Sequence, residues 1–118
     1  MAHYLVTAKP KPDRLGNLLT NLLRNAYASM RPFGRTLTYS LQNARSRQDG
    51  LVTWEEEDYC SPPLAQERAA VLDEFFDELG IARVQEGAGW KTIETFPRLF
   101  PEFRGGQAGE FDENEGRS

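Results

Sequence analysis

Few side chains in this chain of 118 residues can do acid–base, nucleophilic or metal chemistry: one histidine, His3, one cysteine, Cys60, and several short runs of acids. No serine or cysteine neighbours His3 in sequence, so no histidine-activated nucleophile is assembled locally. A single cysteine excludes an internal disulfide, and Cys60 with one histidine cannot make a structural zinc site of the Cys/His kind. Cys60 immediately precedes Ser61-Pro62, a helix start whose dipole favours a thiolate. The run Glu55-Glu56-Glu57-Asp58 just upstream opposes that with its own negative field.

The same run offers hard oxygen ligands. On a strand, however, Glu55 and Glu57 share one face while Glu56 points away, so at most two converge. The Asp-x-Asp-x-Asp-Gly calcium loop is absent. The expectation is a solvated edge-strand end, or one paired with basic residues, with no metal, no cofactor and no catalytic set. Gly87-Ala88-Gly89-Trp90-Lys91 looks like a piece of a phosphate loop, but no helix is expected after the glycines, so the segment reads as a tight turn.

Charge is unevenly laid out. The net charge is −4. Residues 1–48 nevertheless carry eight basic residues and one acid, whereas residues 49–118 carry 17 acids and six bases. Either a polyanion meets the basic half, or the halves meet each other across the folded surface, which is the commoner outcome. A pI near 5 opposes nonspecific nucleic-acid binding, so nucleic acid is not the expected partner. With no apolar run approaching the roughly 20 residues of a membrane span and no basic, hydrophobic leader, a cytoplasmic protein without a membrane partner is expected.

The elements that must position these residues follow from periodicity. Tyr4–Ala8 reads as a strand ended by Pro10 and Pro12. Asp13 is the expected N-cap of a helix whose apolar residues run Leu15, Leu18, Leu19, Leu22, Leu23, Ala26, Tyr27 and Met30. Leu37, Tyr39 and Leu41 alternate with Thr36, Thr38, Ser40 and Gln42, the pattern of a half-buried strand. Asp49-Gly50 is a turn pair, followed by a return strand Leu51–Glu55 in a hairpin. Ser61-Pro62 opens a second helix with a stripe of Leu64, Val71, Leu72, Phe75, Phe76 and Leu79, stopped by Gly80. Ile81–Gln85 and Trp90–Thr95 have strand character.

The expected architecture is one α+β domain over residues 1–103. Its antiparallel sheet takes the ferredoxin-like βαββαβ order, with two helices on one face. Residues 96–103, with Phe96, Pro97, Leu99, Phe100, Pro101 and Phe103, form an aromatic and proline-rich arm. Residues 104–118, glycine-rich and then acidic, are expected to be a disordered tail.

At the level of element order over residues 3–103, this plan resembles the dimeric α+β barrels, whose protomers join sheets around a cavity. The resemblance implies a homodimer and a cavity against the helix-free face, where Leu5, Leu51 and Ile93 would lie among hydroxyl residues. Thr38, Ser40, Tyr39, Glu55 and Lys91 are the residues expected to meet a ligand there. The Arg45-Ser46-Arg47 connection resembles the basic hairpin loop of RNA-recognition domains, making Arg45 and Arg47 the polyanion contacts. The following strand, Leu51–Glu55, lacks those domains' base-stacking aromatic motif. Three functions follow: a homodimeric module binding a small molecule or a protein; a cofactor-independent enzyme of small monooxygenase or isomerase type; and an RNA-binding domain. The first is favoured, because no nucleophile, base and orienting group fall together in sequence.

Overall fold

A computed structural model describes residues 2–104; the acidic tail expected from Gly105 onward lies outside the described residues. The chain is α+β, a four-stranded antiparallel sheet in the order β2-β3-β1-β4 with short helices packed on it. The strands are β1 (Ala2–Pro10), β2 (Arg45–Ser46), β3 (Val52–Asp58) and β4 (Phe76–Val84). Helices α1 (Leu15–Leu23) and α2 (Gly34–Gln42) lie between β1 and β2. Between β3 and β4, α3 (Ala65–Glu67) runs through a π-helical turn (Arg68–Leu72) into α4 (Asp73–Phe75). Helix α5 (Ala88–Ile93) follows β4, and a 3-10 turn (Pro101–Phe103) ends the described chain.

Several expectations are corrected. The residues 36–42 are helical. Leu37 and Leu41, the apolar pair of the strand pattern, also stand four apart, and with Gly34 and Thr38 they make one buried helical face. Thr38 closes its hydroxyl on the Gly34 carbonyl at 2.6 Å, and Gly34 permits a backbone crossing at which any Cβ would sit 2.2 Å from the Tyr27 carbonyl oxygen. The first helix stops at Leu23, and Arg14 rather than Asp13 is its N-cap residue. The second helical stripe ends at Phe75, because 76–80 pair with Thr7–Pro10 of β1 instead. Trp90–Thr95 is mostly helix α5, with Gly89 and Ile93 as its buried face.

Register fixes the two faces of the sheet. Val6 stands opposite Trp54 and Ala8 opposite Val52, and these four pack with Leu18, Leu22, Leu37, Leu41, Val71, Leu72 and Phe75 into the core. Leu5, Thr7, Thr53 and Glu55 take the other face. Helix α5 covers that face at Leu5 and Glu55: a Cβ on Gly89 would lie 3.3 Å from Leu5 Cδ1. Helices therefore lie on both faces, and the open face expected to line a dimer cavity is covered here. The aromatic arm also packs on its own chain, with Phe100 in the core. It runs beside β2 through the Ser46 N–H to Pro97 carbonyl and Leu99 N–H to Ala44 carbonyl bonds, 2.8 and 2.9 Å. Opposite charges do meet: Lys11 pairs with Asp77, and Arg14 with Glu74. Among the described residues no helix is long and apolar enough to cross a membrane.

Candidate functional site

The acidic run does lie at a strand edge, beyond the two residues that pair with β2, but it is not solvated. β1 pairs with β3 along this run on one side, helical segments cover the rest, and Glu55, Glu56 and Asp58 are each at most 4% exposed. Strand alternation sends them to opposite faces, and each face makes a separate polar arrangement.

On one face Glu55 anchors α5. Its Oε2 accepts the Gly87 N–H at 2.8 Å and its Oε1 accepts the Trp90 N–H at 3.0 Å. A helix does follow the glycines, then, but the amides that a phosphate would use are held by a carboxylate of the chain itself. His3, one register step along the neighbouring strand, brings Nδ1 to 3.5 Å from Glu55 Oε2 and Nε2 to 3.9 Å from Glu86. The Ser40 hydroxyl donates to the Glu55 carbonyl oxygen at 2.8 Å and so holds α2 against β3 where β2 has ended.

These groups line an open cleft of about 470 Å³, with Arg35, Thr36, Tyr39, Glu57 and Trp90 completing it. Tyr39, 59% exposed, meets Trp90 edge to face with ring centroids 6.1 Å apart. The cleft thus combines an aromatic wall, three carboxylates, one guanidinium and one imidazole. That size is within the range of small-ligand sites. It suits a compact organic ligand with hydrogen-bond donors or a positive charge, which the carboxylates attract and the rings accept over their faces.

Of the residues expected to meet a ligand, the structure brings together Tyr39, Ser40 and Glu55. Thr38 is turned into its own helix, and Lys91 lies exposed on α5 outside the cleft. His3, Arg35, Glu86 and Trp90 were missed. The expected strand began at Tyr4, and only the register of the longer β1 against β3 puts His3 beside Glu55. Arg45 is not free for a polyanion: Nη1 donates to the Glu94 and Phe96 carbonyls at 2.9 and 2.7 Å. Arg47 pairs with Asp49 at 2.6 Å.

On the other face, Glu56 and Asp58 meet Glu67 from α3 and Cys60 from the connecting loop. Trp54 Nε1 donates to Glu56 Oε1 at 2.9 Å, and the backbone N–H groups of Leu64 and Cys60 donate to Asp58 Oδ2 at 2.6 and 3.1 Å. Burial pushes the Glu56 carboxyl well above its ordinary value, with Glu67 and Asp58 adding to the effect. Burial and the contact with Asp58 raise Glu67 to about 7. Burial alone would raise Asp58 as well, but the Leu64 amide, the Glu67 carboxyl and the Cys60 amide together hold it below the usual range. The Gln66 amide favours a Cys60 thiolate, yet burial and the neighbouring acids leave the thiol raised.

Compared with protein-family models, curated proteins and solved structures, the chain matches none, and its functional reading rests on these two arrangements.

Proposed function

We propose that the protein is a binding module for a small organic cation or donor-rich molecule, held in the cleft between α2, α5 and the N-terminal end of β1. The observation that carries this reading is Glu55: a buried carboxylate, fixed by two backbone donors, at a cleft edged by an exposed tyrosine and a half-buried tryptophan. Sites for small molecules characteristically place a few fixed polar groups within an apolar or aromatic wall. Titration with benzylamine and, separately, benzoate tests it, read through tryptophan fluorescence because Trp90 lines the cleft. Benzylamine should bind and benzoate should not, and a Tyr39→Ala, Glu57→Gln double variant should lose the response. Equal binding of the two probes, or none at millimolar concentration, refutes the reading.

A second reading, an isomerase-type enzyme, is favoured by the facing of His3 Nδ1 and Glu55 Oε2, a carboxylate that can orient an imidazole for proton transfer. It demands that a His3→Ala variant still bind ligand while losing turnover.

We read the sheet as a variant of the split βαβ plan, supported by the central β3-β1 pair with β4 beside β1. The homodimer belongs to the same proposal, by a different route from a shared sheet face. Gly80-Ile81-Ala82-Arg83-Val84 of the edge strand β4 carries one charge in five residues and, among the described residues, has a strand partner on one side only, leaving the other to a second copy. Light scattering decides this: a species at the 13.4 kDa chain mass at tens of micromolar would remove the homodimer.

A further inference from the structure

We propose that Asp58, Cys60 and Glu67 form a binding site for a zinc-class divalent cation, on the face of β3 opposite the ligand cleft and independent of it. Asp58 is the last residue of β3, Cys60 lies two residues beyond, and Glu67 ends α3, so a cation here would tie the end of the sheet to the helical segment that follows. One ligand atom from each of the three lies within 4.8 Å of the others, and Cys60 Sγ stands 3.9 Å from Glu67 Oε1. Tetrahedral zinc, with Zn–S near 2.3 Å and Zn–O near 2.0–2.2 Å, asks for ligand separations of about 3.4–3.6 Å. A contraction of about an ångström by side-chain rotation closes the set.

A second observation points to a missing positive charge. Glu56 and Glu67 are each 1% exposed, and the Oε2 atom of each is buried without a hydrogen-bond partner. Among the described residues, none of the ion pairs formed by Lys, Arg or His involves Glu56, Asp58 or Glu67. Buried carboxyl oxygens without donors are costly, and a cation among them satisfies several at once. The donor set selects the ion. Magnesium and calcium take oxygen ligands only, whereas a thiolate with two carboxylates suits a borderline-soft ion such as zinc. Glu56, held by Trp54, stands beside Glu67 and Asp58 as a further buried carboxyl next to the ligands. Cys60 is half-buried, with Tyr59, Ser61 and Pro62 exposed around it, which gives the ion a way in. Binding displaces the Cys60 thiol proton to solvent, so the cation meets a thiolate.

The test uses the full chain, stripped with chelator and titrated with Co²⁺ and then with Zn²⁺. Expected are a thiolate-to-cobalt absorption in the near ultraviolet that saturates at one ion per chain, its displacement by Zn²⁺, and a rise in Tm with Zn²⁺. Cys60→Ser should abolish the absorption. Cys60→Ser and Glu67→Gln should each weaken Zn²⁺ binding by more than about tenfold. Glu67→Gln removes a buried charge and keeps the side chain's shape, so far-ultraviolet circular dichroism should show it folded. His3→Ala should leave binding unchanged. The proposal is overturned if the folded chain gives no cobalt band, if binding survives both ligand variants, if His3→Ala abolishes it, or if Mg²⁺ raises Tm as much as Zn²⁺ does.

Discussion

Replacing Glu55 by glutamine changes one oxygen to an amino group and tests both the fold and the cleft. In the native chain each carboxylate oxygen takes one backbone N–H, from Gly87 at 2.8 Å and from Trp90 at 3.0 Å, and these are the bonds that seat α5 on the sheet. An amide retains one acceptor and sets its NH2 group against the other N–H. One charge-assisted bond, worth about 1.5–3 kcal/mol, becomes a donor–donor conflict, and the surviving bond loses its charge assistance. The close packing of Gly89 against Glu55 Oε1 and Cβ, where a Cβ would stand at 2.9 and 3.2 Å, leaves no room for α5 to shift and relieve it. Water reaches the cleft and offsets part of the cost, so the expected loss is about 2 kcal/mol. For a domain of this size that lowers Tm by roughly 10 °C. Thermal and urea unfolding of Glu55→Gln measure it, with Glu57→Gln as the control. Glu57 is only half-buried, and the bond it accepts from exposed Tyr59 is 3.3 Å long, so its substitution should stay within about 0.5 kcal/mol. If Glu55→Gln is as stable as the control, Glu55 does not hold α5, and the cleft reading loses its foundation.

In chelator-treated protein, stability should depend on pH through Glu67, whose carboxyl stands at about 7 in the folded chain against an ordinary 4.5. The folded state holds a proton that the unfolded chain gives up, so this contribution is full below about pH 4.5 and is lost as pH rises through 7. From Glu67 alone, urea unfolding near pH 5 and near pH 8 should differ by about 2 kcal/mol in favour of the lower pH; Glu67→Gln should reduce the slope and leave the part of the same sign that comes from the raised Glu56 carboxyl. Gly34→Ala should cost more than about 3 kcal/mol, because the new Cβ meets backbone carbonyl oxygens at 2.2 and 2.9 Å that have no rotamer to escape into; near-wild-type urea unfolding would contradict the α2 crossing. Arg45→Ala should destabilise by about 1–2 kcal/mol in the same assay, by freeing the Glu94 and Phe96 carbonyls. A mobility shift with single-stranded RNA at physiological salt should show no binding, and micromolar binding lost in an Arg45→Ala, Arg47→Ala double variant would reverse the reading of this loop.

By itself the sequence settled several elements that rest on one local period or one turn, although the period of α1 runs on past its end at Leu23. The leucines of α1 recur every three to four residues, Tyr4–Ala8 alternates, Asp49-Gly50 makes its turn with Gly50 at φ 88, and Glu55 and Glu57 oppose Glu56 across β3. None of these needs a distant partner. Residues that satisfy two periods at once were decided only by tertiary packing. Leu37 and Leu41 fit a strand by twos and a helix by fours, and the face they share with buried Gly34 and Thr38 chose the helix. Phe76 and Leu79 continue a helical stripe, yet the main-chain bonds available along β1 drew them into β4. Both polar arrangements belong to the same class. Whether an acid is solvated or buried depends on which helices pack over its strand, and whether His3 faces Glu55 depends on strand register. Alternation along a strand fixes neither, because both are set by residues on other elements of the fold.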